Sequence, residues 1–268
     1  MNSMVVARAA ARLAFTRRTS QRLFTLCASL AVGTTLVAMR AAGAQVAADD
    51  VSNLPIRWIE PTGAPSHRVA IILSGDGGFA ELVTHLANGL AARGLGAVML
   101  NSRAFLSPKK SPAEASAAVA RIIRAALRRF HADSVVIVGY SRGADLAPFV
   151  ANGLPTDLRS RVSAIAMLGL APVASFEFHL LDLIKDTPRG TDIPVIPELL
   201  RLRGTPMLCI YGDDEDSSGC RDAPDGLLRK EARKGGHHFD GNEDALLDLV
   251  LQLIGLNARS ARIAPDTS

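Results

Sequence analysis

No acidic residue occurs before Asp49, while the same stretch carries Arg8, Arg12, Arg17, Arg18, Arg22 and Arg40. Arginines without balancing anions, then an apolar run from Leu23 to Met39 and the small-residue site Ala42-Gly43-Ala44, do not belong to a folded core. They read as a secretory signal peptide over residues 1–44, with Gln45 as first mature residue and 45–53 as a linker. The alternative is an uncleaved anchor, but Gly33, Thr34 and Thr35 interrupt a run already short of the ~20 apolar residues a span needs. Arg17-Arg18 lacks a hydrophobic residue two places on, where Ser20 stands, and Cys27 follows Leu26 rather than a small residue. Neither a twin-arginine nor a lipoprotein signal is therefore expected.

Other absences bear on function. Six of the 30 Lys and Arg residues and none of the 26 Asp and Glu lie in residues 1–44, leaving 24 against 26, a net charge of −2. The basic excess belongs to the targeting segment, so the folded part has no charge balance that would recruit nucleic acid. HxH and HExxH spacings are missing, and Gly75 to Gly78 lacks both the Lys-Ser/Thr ending and the GxGxxG spacing of a phosphate loop. No metal and no cofactor is expected. Cysteine is scarce, and beyond residue 44 only Cys209 and Cys220 remain. In an oxidising compartment such a pair in a short loop is expected to form a disulfide rather than two free thiols.

What is present is enough apolar chain, 48% of 268 residues, for one sizeable core, placed at 54–256 with a disordered tail at 257–268. No internal repeat is found. Short β-branched runs alternate with helical stretches. Strands are expected at Val69–Leu73, Gly96–Leu100, Ser134–Val138, Ser163–Leu168 and Pro206–Tyr211, with a weaker one at Leu227–Arg233. Helices are expected at Ala80–Arg93, Pro112–Phe130 and Glu243–Ile254. The segment Ala174–Leu200, with Pro188, Pro194 and Pro197, reads as an irregular cap or wall. This alternation predicts an α/β fold with a mostly parallel central sheet and helices on both faces.

The sharpest local signal is Gly139-Tyr140-Ser141-Arg142-Gly143, between a buried-type strand and the helical run Ala144–Val150. A serine in a tight strand-to-helix turn is strained, and small residues two before and two after it let strand and helix approach. Ser141 is the candidate nucleophile of an α/β-hydrolase fold. The helix starting there directs its N-terminal dipole at a developing oxyanion, so the Arg142 N–H is one candidate donor. The second is expected in the glycine-rich loop Ser74–Gly78, from the N–H of Asp76 or Gly77. In this fold the acid and then the histidine follow the serine along the chain. Asp213, Asp214, Glu215 and Asp216 follow the strand ending at Tyr211; Glu215 is preferred as the acid, with Asp216 the alternative. Chain order demotes His67, His85, His131 and His179 and leaves His237, preferred as the base, and His238.

Taken in order, Ser-Gly-Asp-Gly-Gly at 74–78, Gly-Tyr-Ser-Arg-Gly-Ala-Asp at 139–145, Phe-Glu-Phe-His at 176–179, Cys-Ile-Tyr-Gly with Glu215 and Cys220 at 209–220, and Gly-Gly-His-His-Phe at 235–239 resemble the VirJ/AcvB family of bacterial virulence proteins. The resemblance covers roughly residues 54–255 and is to the short form, with the hydrolase domain only. It implies a periplasmic serine hydrolase. It further implies, from longer members, cleavage of the aminoacyl ester of lysyl-phosphatidylglycerol and, from others, a link to secretion of virulence substrates. Phe79 departs from the tryptophan expected after the two glycines and bears on substrate fit. Asp145, one helical turn after Ser141, can face a cationic lysyl group or equally serve as a buried partner of Arg142 or of a backbone amide. Phe176, Phe178 and Leu180 to Leu183 can receive an acyl chain or be plain core. The competing expectations are a non-catalytic periplasmic escort of secreted substrates and a general carboxylesterase or thioesterase.

Overall fold

A run of consecutive apolar residues escapes water only in a strand covered on both faces. Val69 to Leu73, Ala97 to Leu100 and Val135 to Val138 are such runs, and each of these residues is 1% exposed or less. Each large side chain so buried contributes roughly 1.5–3 kcal/mol relative to leaving it in water. The computed structural model describes residues 50–178 and 190–256. The signal peptide read over 1–44, most of the linker, His179, Leu180 to Leu183 and the tail 257–268 lie outside the described residues.

Among the described residues the main sheet has seven strands: β1 (Ile56–Ile59), β2 (Arg68–Leu73), β3 (Gly96–Leu100), β4 (Ser134–Tyr140), β5 (Val162–Leu168), β6 (Met207–Gly212) and β7 (Arg229–Arg233), in the order β1-β3-β2-β4-β5-β6-β7. Only β1 runs antiparallel, paired with β3; the remaining pairs are parallel. Side chains alternate between faces along each strand, so the core is in two halves. Val69, Ile71 and Leu73 pack with helices α2 (Pro112–Arg129) and α3 (Arg142–Gly153), while Ala70 and Ile72 pack with α1 (Glu81–Ala91) and α4 (Glu243–Leu253). Helix α2 starts in a capping box in which the Ser111 hydroxyl accepts the Glu114 N–H at 3.2 Å and Pro112 occupies the first turn. The mostly parallel sheet with helices on both faces is the architecture expected from the sequence.

Three details differ from the sequence reading. The edge strand β1 differs from the sequence reading because its residues are at most partly buried and Arg57 breaks the apolar run. Asn101 caps an unexpected short helix, Ser102–Leu106, by accepting the Ala104 N–H at 3.0 Å. The expected irregular wall is partly regular: Val173–Ala174 pairs antiparallel with Ile193–Pro194, and a helix follows at Ile196–Arg201. Pro197 there occupies the first helical turn, where its missing N–H costs nothing, so the proline starts a helix rather than interrupting one.

Because the strands are parallel, the segments after β2, β4, β5, β6 and β7 leave from one edge of the sheet, where ligands of open α/β sheets bind. The segment after β6 is closed covalently by a Cys209–Cys220 disulfide spanning 11 residues. Both cysteines are fully buried. A double Cys209→Ala/Cys220→Ala variant is expected to lose about 2–3 kcal/mol of unfolding free energy. A urea titration checks this; an unchanged midpoint would show that the link adds nothing to the folded state.

Candidate active site

Chain direction reverses between β4 and α3 within a single residue. Ser141 takes φ 54° and ψ −125°, a conformation most L-residues avoid at a cost of about 1–3 kcal/mol. The turn holds because its ends are tied. The Ser141 N–H donates to the Leu168 carbonyl at 2.8 Å, and the Ser141 carbonyl accepts the N–H groups of Ala144 and Asp145 at 2.7 and 3.1 Å. The flanking glycines have a steric reason. A Cβ on Gly139 would lie 2.3 Å from the Gly143 carbonyl oxygen, and one on Gly143 would lie 2.0 Å from that of Leu73.

Glu215 and His237 reach each other across the ends of β6 and β7. The His237 Nδ1 lies 2.6 Å from Glu215 Oε1, and the second carboxylate oxygen accepts the Gly212 N–H at 3.0 Å. Glu215 is nearly buried, with 10% of its side chain exposed. An ionised carboxylate can only accept, so Nδ1 carries the shared proton and Nε2 is left as the basic nitrogen. The loop bearing His237 is anchored as well: the Gly235 N–H donates to Asp213 Oδ1 at 2.9 Å, and the Asp214 N–H to the Gly235 carbonyl at 3.2 Å. Gly169, with φ 65°, lies under the imidazole, and a Cβ there would come within 2.6 Å of Cε1. The alternatives fall elsewhere: Asp216 is exposed, and His238 meets a tyrosine instead of a carboxylate.

That tyrosine is Tyr140, next to the serine, which sequence reasoning did not single out. Its hydroxyl lies 3.0 Å from His238 Nδ1 and 3.3 Å from the His237 carbonyl oxygen, and its ring stacks on His237 with centroids 5.6 Å apart. The carbonyl can only accept. Both contacts are satisfied together when the phenol donates to it and His238 Nδ1–H donates to the phenol. Burial first, then the charges of Glu215 and Glu243, push the Tyr140 phenol up to about 12.

Ser141, Glu215, His237, Asp76, Gly77 and Arg142 line one cavity of about 980 Å3. The loop after β2 packs close to the Ser141 turn, since a Cβ on Gly75 would be 3.0 Å from that of Ser141. Arg142, 5% exposed, grips Asp76 with two bonds, Nε to Oδ1 at 3.2 Å and Nη2 to Oδ2 at 2.8 Å. Asp145 also lines the cavity, and its Oδ1 accepts the Ala171 N–H at 2.8 Å, the backbone-amide partnership left open from the sequence. The two phenylalanines are not among the lining residues. Phe176 is 7% exposed and meets Phe149 edge-on at 5.3 Å, as core. Phe79 packs on the α1 and α4 side with the Arg57 guanidinium 4.6 Å above its ring. Unanticipated lining residues are Glu81, Asp192 and Glu243, which come from separate segments and share no local pattern. Burial first and then the Glu81 charge hold the Glu243 carboxyl above its ordinary range.

A serine at a strained strand-to-helix turn beside a histidine–carboxylate pair, on this sheet order, defines the α/β-hydrolase fold. Solved structures agree on that fold. One similar chain is an alpha-beta serine hydrolase homologue from Coxiella burnetii, with 17% identity, TM-score 0.52, 74% of this chain and 89% of that one covered. A second is Est1E from Butyrivibrio proteoclasticus with ferulic acid bound, with 13% identity, TM-score 0.54, 76% and 96% covered. A third is XC6422 from Xanthomonas campestris, a serine hydrolase without a lid, with 15% identity, TM-score 0.51, 78% and 89% covered. No curated protein sequence matches the chain. Residues 67–258 match the family described as bacterial virulence protein (VirJ), and the chain belongs to that family.

A group whose pKa is higher in the folded state stabilises the fold below its unfolded value and loses that contribution as pH rises through the folded one. For Tyr140 the window runs from 10.0 to about 12. Wild-type stability is therefore expected to fall more steeply across this range than that of Tyr140→Phe. Urea midpoints taken through that range measure the difference in slope; parallel curves would contradict the buried, proton-retaining phenol.

Proposed function

We propose that the protein is a serine ester hydrolase using Ser141 as nucleophile, His237 as base and Glu215 as the acid that orients it. The observation that carries this reading is the conjunction, around one cavity, of the strained Ser141 backbone with the 2.6 Å His237–Glu215 contact. In the first half-reaction His237 Nε2 takes the Ser141 hydroxyl proton as Oγ attacks the ester carbonyl. Amides of Arg142 and of Asp76 or Gly77 stabilise the oxyanion, and the alcohol leaves with the proton carried by His237. Water, deprotonated by the same imidazole, then releases the acid and restores the serine. Glu215 stabilises the imidazolium in both halves.

For the substrate we propose an aminoacyl ester of the lysyl-phosphatidylglycerol type. The presence of Glu81, Asp192 and Glu243 in the cavity lining supports a cationic acyl group. The raised Glu243 carboxyl is a site that a nearby ammonium would relieve, since opposite charge favours its ionised form. Export to the periplasm is proposed with it. The buried disulfide supports an oxidising compartment, and no helix among the described residues is long and apolar enough to cross a membrane.

Ser141→Ala is expected to lower turnover by about three or more powers of ten without loss of fold. A fluorophosphonate probe should label the wild-type serine and not this variant. Folded wild-type protein that takes no label would favour the escort alternative. With lysyl- and alanyl-phosphatidylglycerol vesicles as substrates, the paired change Glu81→Gln/Glu243→Gln should raise KM for the lysyl ester alone. Equal rises on both lipids would place the acidic residues at the α-ammonium that the two esters share, and no rise on either would remove the cationic-substrate assignment and leave a general esterase or thioesterase.

A further inference from the structure

We propose that the Asp76–Arg142 ion pair is the positioning device of the oxyanion site, fixing the amides contributed by two separate segments at the spacing a tetrahedral intermediate requires. The inference rests on the serine-hydrolase reading and concerns the side chains of residues so far assigned only backbone roles. The two amide segments belong to different elements, the loop after β2 and the first turn of α3. Their relative placement is therefore a tertiary matter that neither element settles alone.

The loop is poorly constrained by its own composition. Gly75, Gly77 and Gly78 leave it wide conformational freedom, with Gly78 at φ 65°. Its base is held: Ser74 N–H donates to the Leu100 carbonyl at 3.1 Å, and the Ser74 hydroxyl accepts the Ser102 N–H at 3.0 Å. Its far end closes on itself, Gly78 N–H to the Gly75 carbonyl at 3.0 Å. The tip, where the proposed donors lie, is tied to the nucleophile turn through the Asp76 carboxylate.

That tie has directional content. Two parallel bonds from a planar guanidinium to both oxygens of one carboxylate set orientation as well as distance, which a single ammonium cannot do. Arg142 is 5% exposed and the Asp76 side chain 18%, so the pair is shielded from water that would loosen it. With both carboxylate oxygens engaged by the Nε and Nη2 edge, the positive charge is neutralised in place rather than held out to an anionic substrate group. A positioning role follows, because the pair adds no reacting group to the site.

The test keeps the charges and moves the geometry. Asp76→Glu preserves the ion pair and hence the fold, but adds one methylene between loop and guanidinium; Arg142→Lys preserves the charge and removes the fork. With para-nitrophenyl butyrate, each is expected to lower kcat about 10- to 100-fold with KM within about two-fold, less than the ~10²–10³ lost when a donor is removed outright. Affinity for the trifluoromethyl ketone of the same chain length, which forms a tetrahedral adduct on the serine, should fall in parallel with kcat/KM. Circular dichroism and thermal unfolding of Asp76→Glu should match the wild type. Unchanged kcat, a rise confined to KM, or undiminished ketone affinity would each overturn the positioning role while wild-type hydrolysis and probe labelling leave the serine reading intact. Absence of both in the wild type would instead remove the serine reading itself.

Discussion

The turn from β4 into α3 is the constraint on which the rest of the site depends. Ser141 occupies a positive-φ conformation that no non-glycine residue adopts without compensation, and the compensation is spread over three elements. Leu168 of β5 takes its N–H, the first turn of α3 takes its carbonyl, and Leu73 of β2 leaves room only for Gly143. The backbone at Ser141 is thus tied on both sides. Everything nearby is arranged relative to it: the β2 loop packs against it, Gly169 supports the imidazole, and Tyr140 ties the histidine loop to the same strand end.

Charge is distributed in the site with a consistent logic. The buried cation, Arg142, is matched by the Asp76 carboxylate, so it is not an uncompensated charge of the kind that would cost several kcal/mol, and the buried Asp145 accepts the Ala171 N–H. Glu215 is matched by the imidazole and the Gly212 amide. Glu81 and Glu243 also line the cavity, and burial first, then the Glu81 charge, raise the Glu243 carboxyl against the opposing effect of His85. Repulsion retained at a cavity wall is a local cost to stability of the kind that binding sites commonly carry.

Much of this was legible in the sequence, and what was not shares a cause. Strands β2 to β6 announced themselves because burial on both faces demands uninterrupted apolar runs, and Gly-Tyr-Ser-Arg-Gly, overlapping the end of β4, reads as a sharp turn into a helix. Chain order and strand ends narrowed the acid to the loop Asp213–Asp216 and the base to His237 or His238, and it is the tertiary contact that pairs Glu215 with His237. The Asp76–Arg142 contact joins residues 66 positions apart and leaves no local trace. Glu81, Asp192 and Glu243 come to line one cavity for the same reason, by the folding of segments whose own patterns are those of ordinary helix starts and loops. Phe176 resembled a substrate contact by composition but is core, because an aromatic stripe looks the same from either side.

The disulfide has a further implication for when the site becomes whole. Cys209 lies within β6 and Cys220 in the short helix Gly219–Asp222, so the bond fastens the Glu215 segment to the sheet itself. Arg221 adds to this from within, donating to the carbonyls of Gly212 and Asp213 at 3.2 and 2.7 Å and to that of Glu215. A newly made chain in a reducing environment would hold that segment by hydrogen bonds alone, those of Arg221 and of the Gly212, Asp213 and Gly219 backbone among them. The covalent restraint on the stretch bearing Glu215 is thus one that forms only where thiols are oxidised.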